Sequence, residues 1–299
     1  MAFSIRLPGS TANLGPGYDV LGLALGIHNH VTVSDAAVDA HTITVRGLGA
    51  RELPTDGSNL FFTSAETCAS HIGKRLPPID AQMEVNVPLA RGLGSSSTAI
   101  VAGVVAANEV LGAPLARPEL LDIATDIEGH PDNVSPCLYG GFTVSIACDG
   151  HVTCVRTDPP ETLKAVVVVP EFQLKTKDAR HALPDTVSHV DATFNVGRAC
   201  VVTAAMMSGD LDALAQSMDD RLHQPQRAGL IPHYHEVTGA AKDAGALGVA
   251  LSGAGPTLFA VTVGNPEAVG EAMTKVWARN NIGTTHHVLP FDLDGTVVA

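Results

Sequence analysis

Polar and apolar positions alternate through residues 82–87, with Met83, Val85 and Val87 facing one way and Gln82, Glu84 and Asn86 the other. A period of two predicts a half-buried strand. The stretch Pro88-Leu89-Ala90-Arg91-Gly92-Leu93-Gly94-Ser95-Ser96-Ser97-Thr98 breaks that pattern, and residues 99–111 follow as a helix apolar on nearly every face. Such a helix must be buried, so its start is firmly held. Upstream, residues 4–7 read as a short strand, and residues 8–19 carry so many prolines and glycines that they read as a loop. Residues 28–33 and 41–45 read as strands, and Asp56, Ser58 and Asn59 signal a helix over residues 59–71. Gly112 and Pro114 stop the buried helix, a second helix runs from Pro118 to Glu128, and a breaker loop, Gly129-His130-Pro131-Asp132-Asn133, precedes Gly140-Gly141 and a hairpin over residues 142–155.

The pattern changes after Asp158-Pro159-Pro160, the best place to divide the chain into domains of residues 1–160 and 161–299. Residues 163–169 are a continuous apolar run suited to a strand buried on both faces. Helices are expected over residues 186–208, 211–218 and 232–245, strands over 247–251 and 257–263, a helix over 265–278 and a strand over 285–289. The order β, helices, β-β, α, β is that of a ferredoxin-like α/β sandwich.

Composition narrows the function. At 299 residues the chain can hold two cores, and 45% hydrophobic with 16% charged residues marks a globular protein. Thirty-one acidic against 18 basic residues argue against nucleic acid or an anionic membrane as partner, so an anionic ligand must be met locally. No apolar run reaches membrane-spanning length, and Arg6 and Pro8 interrupt what would be a signal sequence; a cytoplasmic location is expected. The five cysteines, Cys68, Cys137, Cys148, Cys154 and Cys200, form no Cys-x-x-Cys pair, and the hairpin register places Cys148 and Cys154 on opposite faces. They read as free.

Gly92 and Gly94 allow a tight turn with exposed N–H groups, followed by hydroxyls where a helix starts. A helix start of that kind attracts phosphate, although a plain turn with capping serines has the same spelling. It is not a Walker A loop, which needs Lys then Ser or Thr after the second glycine. Asn13 and Asp19 stand six apart across the first loop and are placed either on a surface connection or around one ligand. Glu128 ends a helix where the dipole disfavours a carboxylate, so it is either solvated or held by a cation. Arg180 and Arg227 have the planar fork that suits a carboxylate, but from bare sequence an arginine is more often a surface residue. His233 and His235 diverge too much for a zinc pair, and His130 reads as loop structure.

Three glycine-rich stretches in this order resemble the GHMP kinases. The loop over residues 88–98 is similar to their ATP-binding motif, and Ser252-Gly253-Ala254-Gly255-Pro256-Thr257 to their third motif. The first loop, with Asn13, Pro16 and Asp19, and Glu128-Gly129-His130-Pro131-Asp132-Asn133 resemble the homoserine kinases within that family. Tyr18, where phenylalanine is usual, and Ser97-Thr98, where small residues are common, are departures. The resemblance implies an α+β two-domain GHMP kinase fold: a ribosomal-protein-S5-like N-terminal domain with a left-handed β-α-β unit, and a ferredoxin-like C-terminal domain. It implies ATP-dependent phosphorylation of the side-chain hydroxyl of L-homoserine, on the route to threonine, by a cytoplasmic homodimer. ATP would lie over residues 88–98, and Ser96 and Glu128 would hold Mg²⁺. Asp19 would take the substrate ammonium, Asn13 and Asn133 its hydroxyl, and Arg180 and Arg227, with Thr176 nearby, its carboxylate. Mevalonate kinase has an aspartate seven positions before the Gly-Gly; here Asn133 stands there, which implies transfer without a side-chain general base, with Asn133, Asn13 and Glu128 as the catalytic set. Another GHMP-type small-molecule kinase, or a non-catalytic nucleotide-binding relative, is the competing reading.

Overall fold

The computed structural model describes residues 2–34 and 38–299. The first half contains β1 (Phe3–Ala12), β2 (Leu21–Val33), β3 (Thr42–Gly47), α1 (Leu60–Ile72), β4 (Asp80–Val85), α2 (Ser95–Val110), α3 (Arg117–Glu128), α4 (Pro131–Tyr139), β5 (Phe142–Cys148) and β6 (His151–Thr157). The second contains β7 (Lys164–Pro170), α5 (Thr176–His181), α6 (His189–Ser208), α7 (Leu211–Ala215), α8 (Gln224–Ala228), α9 (Tyr234–Asp243), β8 (Gly248–Leu251), β9 (Leu258–Thr262), α10 (Pro266–Arg279), β10 (Thr284–Leu289) and β11 (Val297–Val298).

The first sheet runs β11-β1-β2-β4-β3, with the β5–β6 hairpin joined to β2. β3 and β4 are parallel with α1 as their crossover, whereas the other pairings among the described strands are antiparallel. The second sheet, β10-β7-β9-β8, is antiparallel and ferredoxin-like. The chain's last residues return to the first sheet, where Val298 pairs with Ile5.

One core fills the space between the first sheet and its helices, with Phe61, Phe62, Ile100, Val104, Leu121 and Val134 buried in it. α2 is buried almost all round, as its composition requires. A second core joins the two halves, packing Leu14, Leu23, Leu93 and Phe142 against Val167, Val202 and Phe259. A third covers the outer face of the second sheet with Val166, Val168, Val269 and Trp277. Alternate residues of β7 thus enter different cores, which is why its apolar run is unbroken.

Three departures from the sequence reading have local causes. β1 continues through Pro8 and Gly9 to Ala12 instead of ending at Leu7, because the register shifts between those two residues. A proline lacks the N–H a ladder requires, and a bulge is where that loss is tolerated. The stretch after Gly129 is the start of helix α4 and not a loop, with Pro131 in the first turn and Pro136 inside. Nine residues with two prolines show no helical period. α5 and α8 are of six and five residues, too short for periodicity to show. The hairpin has the expected register, Ser145 opposite Cys154 and Cys148 opposite His151, and all five cysteines are free.

Candidate active site

The turn after β4 brings the backbone to the start of α2. Gly94, at φ 70°, is the residue that begins the helix, and no serine side chain caps it, so the competing reading of the hydroxyls as plain caps does not hold. The first helical bond runs from the Thr98 N–H to the Gly94 carbonyl at 3.0 Å. The N–H groups of Ser95, Ser96 and Ser97 therefore precede the helical ladder, at the positive end of the dipole. Ser95 and Ser96 line a cleft of about 330 Å³ with Ala90, Arg91, Gly92 and Gly94. Leu93 and Thr98 point inward: Leu93 lies in the joining core, and Thr98 Oγ1 accepts from Asn29 Nδ2 at 2.8 Å. Arg91 Nε donates to the Pro170 carbonyl at 3.0 Å and Nη2 donates to the Glu171 carbonyl, so this guanidinium ties the loop to the end of β7. Pro88 and Leu89 border that seam.

Glu128, at the disfavoured end of α3, faces the start of α2. Its Oε1 accepts from Ser96 Oγ at 2.8 Å and from Ser97 Oγ at 3.0 Å. The opposite helix terminus and two hydroxyls thus offset the unfavourable dipole without a cation. The same oxygen donors suit a hard divalent ion.

Ser10 determines how Asn133 is presented. The Ser10 hydroxyl donates to the Asn133 carbonyl at 3.3 Å, so its oxygen is free to accept, and Asn133 Nδ2 donates to it at 2.9 Å. The amide oxygen of Asn133 then faces the cleft. This arrangement needs a bare backbone beside it: a Cβ on Gly94 would lie 2.3 Å from Ser10 Oγ. Asn13 is held by backbone, its Nδ2 donating to the Gly253 carbonyl at 2.9 Å and its Oδ1 accepting from the Asp19 N–H at 2.9 Å.

Asp19 accepts two bonds from Arg180, at 3.0 and 3.1 Å, and Arg180 Nη1 also donates to the Tyr18 hydroxyl at 2.9 Å. Arg227 is buried, donating to the carbonyls of Ala179 and Gly253 and to His223 Nδ1. His223 Nε2 donates to the Gly15 carbonyl at 2.8 Å, which leaves Nδ1 as the acceptor Arg227 requires. Burial pushes the His223 pKa down against the pull of Asp220, and the neutral ring fits that role. Thr176 lines the cleft beside Arg180. The third glycine stretch closes it: Ser252 Oγ donates to the Gly92 carbonyl at 2.6 Å, Gly253 and Ala254 line the wall, and the Gly255 N–H bonds back to the Ser252 carbonyl.

One cleft thus gathers Asn13, Asp19, Ser96, Glu128, Asn133, Thr176, Arg180 and Arg227 from five separate stretches of chain. Sequence reasoning missed Lys175, gave His130 no chemical role and named Asp132 only as an ionisable neighbour of Asn133; all three line the cleft. His130 does stand in the two-residue link between α3 and α4, extended at φ -158°, and its Nδ1 is paired with the buried Asp132 carboxylate. Burial opposes its charge, but the bond and charge of Asp132, with Glu128 and Asp19 adding, raise its pKa overall. The repeated acid and imidazole beside Glu128 were the available signal. A second, more apolar cavity of about 450 Å³ adjoins the first at Ala90, Ser95 and Ser96 and is walled by Leu53, Pro54, Leu60, Met83 and Leu89. These residues are scattered over the first half with no common motif, so sequence offered no sign of it.

The chain matches the family model for the GHMP kinases N terminal domain over residues 59–141 and that for GHMP kinases C terminal over residues 202–279. It is 41% identical over 281 residues to the homoserine kinase of Moorella thermoacetica, covering 94% of each chain. It is 44% identical over 277 residues to that of Gloeobacter violaceus, covering 91% and 92%. The crystal structure of homoserine kinase from Cytophaga hutchinsonii superposes with a TM-score of 0.88 at 33% identity, covering 100% of this chain and 97% of the other. The galactokinase of Lactococcus lactis shares the fold at 13% identity, with a TM-score of 0.71, covering 99% and 95%.

Proposed function

The chain belongs to the GHMP kinases and, within them, to the homoserine kinases, and on that premise we propose that it transfers the γ-phosphoryl group of ATP to the side-chain hydroxyl of L-homoserine, giving O-phospho-L-homoserine and ADP. The observation that carries the reading is the single cleft where a helix N-terminus for phosphate meets an acid, two arginines and an amide oxygen for a hydroxy amino acid. An ADP-release assay over homoserine, threonine, mevalonate and galactose tests it. Preference for homoserine is the expected result; turnover of mevalonate or galactose instead, or of none of the four, would overturn it.

The triphosphate is assigned to the N–H groups of Ser95, Ser96 and Ser97, and the base and ribose to the adjoining apolar cavity. Ser96 and Glu128 would hold Mg²⁺, which supplies charge neutralisation between the phosphates. Glu128→Gln is expected to cut turnover and raise the magnesium requirement with homoserine binding nearly intact; an unchanged magnesium titration would move the ion elsewhere. In the transfer, the substrate oxygen forms a bond to the γ-phosphorus while the bond from that phosphorus to the β,γ-bridging oxygen breaks and ADP leaves. A loose transition state keeps the attacking hydroxyl protonated until late, so position and charge carry the catalysis. Asn133 accepts from the hydroxyl and orients it, and the proton leaves to a phosphate oxygen or water. Asp132, the ionisable neighbour, is occupied by His130.

We place the domain division near residues 160 and 161, with β11 returning to the first sheet. A homodimer is the assembly we propose, supported by the exposed apolar side chains Val190, Val196, Val201 and Met207 along α6. Among the described residues no helix is long and apolar enough to cross a membrane.

A further inference from the structure

The groups proposed for the two charges of the substrate hold each other in this cleft. Both arms of Arg180 reach Asp19, and Tyr18 gives the guanidinium a third anchor through its hydroxyl. The two charged side chains keep 38% and 31% of their exposure, so solvent weakens the pair and a ligand can open it. The neighbouring charges are settled differently. His130 is paired with Asp132, whereas Arg227 is buried with carbonyls, a neutral imidazole and the Tyr18 hydroxyl, none of them a carboxylate, as its acceptors. Among the described residues of the cleft wall, Arg227, Arg91 and Lys175 have no carboxylate at ion-pair distance, and the Asp19–Arg180 pair is closed but accessible.

Of these cations, Arg227 shares the Tyr18 ring with Arg180, so a carboxylate that reaches Arg227 also comes up beside Arg180. Arg180 can join it only by leaving Asp19, whose carboxylate then loses both its hydrogen bonds from Arg180 and keeps only the His130 imidazole, already bonded to Asp132, within 4.8 Å. An ammonium arriving on the same molecule takes the vacated place. We infer that the Asp19–Arg180 pair, steadied by the Tyr18 hydroxyl, is a built-in stand-in for the substrate's own charges, exchanged without loss only by a zwitterion. The inference rests on the homoserine reading and deepens it: selection of an amino acid comes from coupling between two recognition groups, not from two independent contacts. A ligand bearing one charge must break the pair and restore half of it.

Two analogues isolate the halves: 4-hydroxybutyrate lacks the amine of homoserine, and 3-amino-1-propanol lacks the carboxylate. If the contacts were independent, Asp19→Asn would weaken homoserine and leave 4-hydroxybutyrate as it was. With the pair coupled, Asp19→Asn frees Arg180, so kcat/KM for 4-hydroxybutyrate rises roughly two- to fivefold, the scale of a screened ion pair, while that for homoserine falls. Methylammonium added to the unaltered enzyme should have the same effect, filling the place beside Asp19 and raising 4-hydroxybutyrate turnover, and should have none on Asp19→Asn. The methylammonium arm needs no variant, so a misfolded substitution does not decide the matter. The inference is overturned if methylammonium inhibits or does nothing in the unaltered enzyme, or if folded Asp19→Asn leaves 4-hydroxybutyrate turnover unchanged or lower. Failure of the unaltered enzyme to release ADP with homoserine overturns the functional reading itself, a distinct result. The behaviour of 3-amino-1-propanol completes the test: it should gain from added acetate, and inhibition or indifference there counts against the coupling.

Discussion

Asn133 is oriented by a hydroxyl, not by its own sequence context. Ser10 hands its proton to the Asn133 carbonyl and so must accept from the side-chain amide, turning Oδ1 to the cleft. Ser10→Ala is expected to lower kcat more than the homoserine KM, since the amide can then rotate while the binding groups remain. Asn133→Ala should slow turnover without adding or deleting a titrating limb between about pH 6 and 9, the range in which a tuned base would show. If Asp132→Asn instead abolished turnover and erased an acidic limb with fold and affinities intact, transfer without a base would be wrong. Two histidines shape stability in opposite directions about the ordinary value of 6.5. His223 has a lowered folded pKa, so its contribution is present above that value and is lost as pH falls below it. His130 has a raised one, so its contribution is complete below 6.5 and is lost as pH rises through the folded value. Thermal unfolding of Asp132→Asn against pH should therefore flatten above 6.5 and keep its acid-side decline. The first loop and the sequence after Glu128 were legible as special, but which amide faces the cleft depends on a bond across 123 residues.

At the scale of elements, the start of α2 is where three parts of the chain close on one point. Gly94 holds a positive φ with Ser10 against it, and Gly92 lies so near the third glycine stretch that a Cβ there would meet the Ser252 carbonyl at 2.1 Å. Gly94→Ala is expected to cost about 1–3 kcal/mol of stability and to displace Ser10 from Asn133, so unfolding midpoint and kcat should fall together. Retention of full activity would separate the turn from the catalysis. α2 was evident from its composition, since a helix apolar all round has nowhere to go but the interior. α4 was not: two prolines hide a helix held by burial on nearly every side. β1 was cut short for the same reason, a proline read as a stop where the bulge makes it harmless.

Across the whole molecule, the cleft is lined by both halves, with Arg180, Arg227, Gly253 and Ala254 from the second meeting Asn13, Ser96 and Asn133 from the first. The joining core and the Arg91 tie to β7 hold these surfaces together. α6 carries the exposed valines Val190, Val196 and Val201, which no element among the described residues covers. Val196→Glu is expected to convert a dimer to a monomer in sedimentation velocity while a folded second sheet persists. A monomer for the unaltered protein, or a dimer indifferent to this change, would remove α6 from the assembly.

The sequence by itself determined what local chemistry can state: the period-2 and all-apolar segments, the order of the second sheet's strands, the free cysteines and the three glycine stretches with their kinship. Those properties reside in neighbouring residues, whose spacing survives without a fold. Only the tertiary structure decided that Asp19 is paired with Arg180, that Glu128 is held by two serines, that Arg227 is buried beside a neutral His223, and that an apolar cavity adjoins the cleft. Most of these join positions far apart in the chain, and even the contact between Arg227 and His223, four residues apart, depends on the Gly15 carbonyl that holds the His223 ring. A charge, a hydroxyl or a ring acquires its partner from packing, and that choice leaves no trace in local spacing.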